Sequence, residues 1–197
     1  FSTILVVYLL FFKIYDIFCQ NVCFDVNGPK EYADLIFNKI EDIVAANNRY
    51  LALARTPAEL VANKYNGQKS IMLGIENGLA LEGDISNVQH FVDRGVVYIT
   101  LCHNGDNDIC DSARGSNTHN GVSEFGAKVI GEMNRLGVMV DLSHAAEKSF
   151  WDAMDISSTP IVCSHSSCRA LCDHPRNLTD SQMKALADKG GVCQITI

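Results

Sequence analysis

Basic residues are few and nowhere clustered: 16 Lys and Arg stand against 23 Asp and Glu, a net charge of −7. Nucleic-acid binding, which depends on phosphate contacts, is therefore not expected. Uninterrupted apolar sequence is short as well. A bilayer span takes roughly 20 apolar residues, and the N-terminal run ILVVYLLFF covers only positions 4–12. It reads as a buried strand rich in β-branched and aromatic residues. The competing reading, a signal-peptide core, lacks a preceding basic segment and a following small-residue cleavage site. No linker, low-complexity tract or internal repeat divides the chain, so a single domain over 1–197 is expected. The G-x-S-x-G elbow and the Walker loop are missing too, which leaves serine-hydrolase and nucleotide-phosphate chemistry without their usual scaffolds.

Against these absences, 47% hydrophobic and 20% charged residues describe a folded protein with enough apolar sequence for a core. Of eight cysteines, Cys102, Cys163 and Cys193 lie inside apolar runs, where a free thiol packs like a small hydrophobe. Reduced thiols and a cytoplasmic setting are the expectation, with a membrane-associated or secreted protein as the alternative. The sequon Asn177-Leu178-Thr179 matters only in the second case.

Short apolar runs alternate with amphipathic stretches. Residues 31–47 place Leu35, Ile36, Ile40, Ile43 and Val44 at helical spacing. Thr56-Pro57 supplies the cap and first-turn proline of a helix start. Helices are also expected over 84–93, from a Ser123 cap to Leu136 with Gly137 as the stop, over 145–155 and over 180–189. Strands are expected at 70–75, 96–101, 138–142, 160–163 and 191–197, and a long polar loop at 103–120. Loops of that length commonly carry function. Strands alternating with helices, and apolar throughout, mean parallel βαβ units buried on both faces. About five or six such units fit the chain, whereas a closed eight-stranded barrel takes about 250 residues. The expectation is an α/β chain forming part of a (β/α)8 TIM-type barrel, truncated at both ends. A complete open sheet is the alternative that periodicity leaves open.

Four strand-like runs end on residues with chemistry: Glu76, His103, His144 and His165. Parallel α/β folds build their sites at such C-terminal strand ends. Adjacent strands lie about 4.8 Å apart, so neighbouring ends can converge on one ion. One carboxylate with imidazoles suits Zn2+ or a similar first-row ion. A rival cluster overlaps this set. Cys163, His165, Cys168, Cys172 and His174 could form a structural zinc knot, although Cys168 and Cys172 have the spacing of one helix face and read more simply as packing residues.

GIENG at 74–78, YITLCHN at 98–104, GVSEFG at 121–126, NRLGVMVDLSH at 134–144, and SHSS at 164–167 followed by Arg176-Asn177 together resemble the membrane (renal) dipeptidase family of two-zinc, amidohydrolase-like barrels. Residues 70–197 carry the likeness and 1–69 carry little of it. The resemblance implies that Glu76 bridges two zinc ions and that His144 and His165 complete the site of one. It implies that His103 is the catalytic candidate, contacting substrate or the tetrahedral intermediate. Arg176, with Asn177 beside it, is implied in binding the substrate carboxylate, which a guanidinium fork suits. Two family features are absent: a His-x-Asp pair on the first strand, since no histidine precedes His90, and a late-strand aspartate. Cys19 and Cys23 are conceivable substitute ligands, but their separation is more helical than strand-like. The expectation is metal-dependent hydrolysis of dipeptides, with a homodimer allowed, and with this chain alone nearly inactive. The alternatives are another barrel amidohydrolase acting on small amides or lactones, or a non-catalytic metal-binding fragment.

Overall fold

The structure is a computed structural model that describes residues 27–196. The strand expected at 4–12, and Cys19 and Cys23, lie outside the described residues. The chain runs α1 (Pro29–Ala46), β1 (Leu51–Leu53), α2 (Pro57–Tyr65), β2 (Lys69–Ile71), β3 (Leu73–Glu76), a 3-10 turn (Gly78–Leu81), α3 (Ser86–Asp93), β4 (Val96–Thr100), α4 (Glu124–Leu136), β5 (Met139–Asp141), α5 (Glu147–Ile156), β6 (Val162–Ser166), α6 (Asp180–Asp188) and β7 (Val192–Ile195). Strands β3 to β7 form one parallel sheet in strict chain order, and β1 pairs with β2, also in parallel. A doubly wound sheet reverses its order at a switch point. In this sheet every neighbour in space is the neighbour in sequence, which is the wall of a (β/α)8 barrel, and the expected partial barrel is what the chain forms.

Local signals account for most helix ends. Thr56 and Glu59 make a reciprocal capping box at α2, and Thr179 and Gln182 make another at α6. The Ser123 hydroxyl accepts from Gly126 N at the start of α4, and Gly137 ends that helix at φ 76°. Inward faces build the core: Phe37 of α1 meets Phe91 of α3 edge-to-face with centroids 6.2 Å apart. On α1 the buried residues are Tyr32, Ala33, Phe37 and Ile40, while Ile43, expected on the apolar face, points outward. Among the described residues no helix is long and apolar enough to cross a membrane.

Three sequence expectations change. The single strand expected at 70–75 is two strands in different sheets, β2 bonded to β1 and β3 to β4, with Met72 between them. An apolar run carries no mark of which neighbour its backbone will bond, and the three-residue β1 is too short to show a pattern. The strand expected at 160–163 instead spans Val162–Ser166, so His165 lies within β6 and not beyond it. Pairing with β7 carries the ladder through these polar residues. Finally, Cys168 and Cys172 lie in a turn, in which the N–H groups of Leu171 and Cys172 both donate to the Cys168 carbonyl, and not on a helix.

Gly126 shows why α4 begins as it does. A Cβ there would stand 2.1 Å from the carbonyl oxygen of Ile109, a backbone atom of the loop that precedes the helix. Gly126→Ala is expected to destabilise the protein by about 1–3 kcal/mol, as overpacking does. The check is a lowered denaturant midpoint with an unchanged m-value.

Candidate metal centre

Strand ends β3, β5 and β6 bring three donors together. Glu76 Oε1 lies 3.3 Å from His144 Nε2 and 3.2 Å from His165 Nε2, and the two Nε2 atoms are 2.8 Å apart. Among the described residues, Glu76, His144 and His165 are the group whose ligand atoms cluster closely enough to hold an ion. The thiol cluster with Cys168, Cys172 and His174 is not such a group, so the zinc-knot reading falls; Cys168 Sγ lies instead 4.0 Å from Asp180 Oδ1. The described cysteines are free thiols.

The donor set fits a metal. Tetrahedral zinc with bonds of about 2.0–2.1 Å has donor–donor edges of roughly 3.3 Å. The two edges from Glu76 already have that length, and the imidazole pair would open by about half an ångström. Two neutral Nε2 lone pairs facing each other are poorly satisfied without a cation or proton between them. His144 also adopts φ 75°, a left-handed conformation that costs a non-glycine residue on the order of 1 kcal/mol. It is held there by Ala113 N, which donates to the His144 carbonyl at 2.8 Å. Strain maintained at a candidate ligand accords with a functional demand on the direction of the ring.

Beneath the donors lies a residue that the sequence reading did not single out. Asp141, the last residue of β5, is fully buried. Its Oδ1 accepts from Ser143 N at 3.0 Å and Ser164 N at 2.9 Å, and its Oδ2 accepts from the hydroxyls of Thr100 (2.6 Å) and Ser164. The Ser143 hydroxyl in turn accepts from His165 N at 2.9 Å. One carboxylate thus ties together the ends of β4, β5 and β6. The only sequence signal was polarity where an apolar run should continue, in VMVDLSH and in PIVCSHS.

The remaining candidates surround the trio. His103 follows β4, with Nε2 3.9 Å from Glu76 Oε1 and its ring 4.2 Å from that of His144. The long 103–120 loop is ordered by two aspartates. Asp106 accepts from Ser112, Ser116 and Thr118, and Asp111 from His119 and Gly121. Arg176 is half-buried; one of its terminal nitrogens donates to the His165 carbonyl at 3.4 Å, while its Nε is buried without a hydrogen-bond partner. The Asn177 amide is engaged elsewhere: it donates to Cys172 O at 2.8 Å and braces the turn that carries Arg176.

Electrostatics suit ligation. Burial opposes the charge on Glu76, but the imidazoles of His144, His165 and His103 around it hold its carboxyl well below the usual carboxylate range. Burial first, with Arg176, His103 and His165 nearby, pushes His144 down to about 4 despite its contact with Glu76. The ring is therefore neutral at physiological pH, as a ligand must be. Below the ordinary histidine pKa of about 6.5 the unfolded chain takes up a proton that the folded ring resists until about 4. This contribution to stability is complete above 6.5 and is lost as pH falls toward 4. In the metal-free protein the urea midpoint is expected to drop over that interval, and His144→Gln to flatten the drop.

Residues 33–197 match the family model described as membrane dipeptidase, peptidase family M19. An uncharacterized dipeptidase of Schizosaccharomyces pombe is 38% identical over 139 residues, which is 69% of this chain and 33% of that protein. Dipeptidase verJ of Clonostachys rogersoniana is 34% identical over 177 residues, 88% of this chain and 46% of that one. Among solved structures, the probable dipeptidase PvdM from Pseudomonas aeruginosa superposes with a TM-score of 0.81 at 28% identity, covering 84% of this chain and 43% of that chain. The chain thus spans from a third to just under half the length of these relatives.

Proposed function

Because this chain belongs to the membrane dipeptidase family, peptidase family M19, we propose that it supplies the metal-binding wall of a zinc-dependent dipeptidase. The observation that carries the reading is the convergence of Glu76, His144 and His165 from three strand ends. One carboxylate oxygen and two imidazoles are a donor set that zinc favours. An ion held there supplies a Lewis acid for the scissile carbonyl and lowers the pKa of water.

The chain's own residues supply further roles. Glu76 stays anionic and His144 neutral, so both present lone pairs at neutral pH. His103, whose ring lies 4.2 Å from that of His144, would donate to the carbonyl oxygen as negative charge develops on it. Arg176 keeps a buried Nε–H unspent, and its fork takes the free carboxylate that distinguishes a dipeptide from a blocked amide. Asn177 serves the same end by holding the turn beneath Arg176.

The test is metal content and turnover of the full-length protein with dipeptides, their C-terminal amides and lactones. Removal of metal by a chelator is expected to abolish dipeptide turnover, and zinc to restore it. Equal turnover of amides or lactones that lack a free carboxylate would move the assignment to a broader amidohydrolase. Turnover that survives complete metal removal would end the metallodipeptidase reading.

A further inference from the structure

We propose that Asp141 and Ser164 form a hydrogen-bonded relay that sets the tautomer of His165 and so turns its Nε2 lone pair toward the metal. The proposal rests on the reading of His165 as a ligand, and it concerns residues that do not themselves touch the ion or the substrate.

The direction of the relay follows from donor arithmetic. Two backbone N–H groups and two hydroxyls converge on the fully buried Asp141. That company suits a carboxylate, which only accepts. The Ser164 hydroxyl therefore spends its single hydrogen on Asp141 Oδ2, the nearer and anionic acceptor, and not on Ser143 Oγ at 3.5 Å. What Ser164 has left for its other neighbour is a lone pair. That neighbour is His165 Nδ1, 2.8 Å from Ser164 Oγ. Facing a lone pair, Nδ1 must carry the ring hydrogen, and a neutral imidazole has only one. Nε2 then carries no hydrogen and turns its lone pair toward the other donors, 2.8 Å from His144 Nε2 and 3.2 Å from Glu76 Oε1. Ligating histidines commonly have their second nitrogen held by a carboxylate or carbonyl, which fixes the tautomer and raises ligand basicity. Here a serine hydroxyl stands between the carboxylate and the ring.

The same backbone anchors the geometry. Ser143 Oγ receives the His165 N–H, while Asp141 Oδ1 holds the N–H groups of Ser143 and Ser164. The ring is thus fixed at its main chain and at Nδ1. Reversing the middle link has a definite consequence. With Asn at 141, an amide N–H can point at Ser164 Oγ. The serine hydrogen then turns to His165 Nδ1 and favours the Nε2–H tautomer, which cannot ligate.

Three variants of the full-length protein test this. Two readouts are used: zinc affinity, from competition with a chromophoric chelator, and the ring-nitrogen shifts of His165 by long-range 1H–15N NMR of the zinc-free protein. Ser164→Ala and Asp141→Asn are expected to weaken zinc binding about 10–100-fold and to shift His165 away from the Nδ1–H form. Ser164→Thr keeps the hydroxyl and suits a strand, and residue 164 borders an open cavity of about 240 Å³ that can take the extra methyl. It is expected to restore both readouts. Wild-type affinity and an unchanged Nδ1–H tautomer in Ser164→Ala would overturn the proposal. Asp141→Asn can fail to fold, since Asp141 holds two backbone amides, and the Ser164 pair then decides alone. A wild-type protein that binds no zinc would remove the metal reading, while the zinc-free tautomer would still report on the relay.

Discussion

In the full-length protein, Glu76→Ala is expected to release the metal and to lower kcat/KM for dipeptides by on the order of 10³-fold or more, beyond the typical loss from deleting a single oxyanion-hole donor. Glu76 is the one anionic member of the trio, and it is the atom common to both short donor contacts, at 3.2 and 3.3 Å. Removing it leaves two imidazoles with Nε2 atoms 2.8 Å apart and no charge to offset a dication. Glu76→Gln keeps the shape and loses the charge, so it separates packing from electrostatics. Both variants are expected to retain the fold, because the side chain lies at a strand end and not in the apolar core. His144→Ala and His165→Ala should lose metal in the same way. Full metal stoichiometry in all three alanine variants would refute the site. Loss of metal only on changing Cys168 and Cys172 would reinstate the thiol cluster.

In the full-length protein, Arg176→Ala is expected to cost about 2–5 kcal/mol of substrate binding, or roughly 30- to 5,000-fold in kcat/KM, carried mainly by KM. The guanidinium is half-buried, and burial pulls its pKa down from the usual value. A cation in that position gains from an anionic partner more than an exposed one does. Its contact with the His165 carbonyl, at 3.4 Å, is a weak commitment, and its Nε has none. The decisive comparison uses each dipeptide and its C-terminal amide. The wild-type protein should prefer the free carboxylate strongly, and the variant should not discriminate. Arg176→Lys should recover only part of the preference, because an ammonium lacks the two-pronged fork. His103→Ala, by contrast, should lower kcat without removing metal, since its Nε2 stands 3.9 Å from Glu76 and outside the donor trio. An Arg176→Ala variant with unchanged KM for both substrate forms would leave that residue a purely structural role.

The sequence by itself determined the helices and pointed to the candidate ligands. Thr56 with Glu59, Ser123 with Gly137, and Thr179 with Gln182 mark helix ends because capping is a contact between residues a few positions apart. Glu76, His144 and His165 were legible because polar, ligating residues at the ends of apolar runs stand out when βαβ units repeat. Tertiary structure alone decided the rest. It split 70–75 between two sheets, extended β6 through His165, put Cys168 and Cys172 in a turn and occupied the Asn177 amide with Cys172 O. It also made Asp141 the hub of the site, through partners 41 positions back at Thr100 and 23 ahead at Ser164. The reason is physical. Helical hydrogen bonds and caps close within one turn of chain, so their donors and acceptors are written next to one another. The partner of a strand, and the atoms that meet at a strand end, are brought together only when distant segments pack.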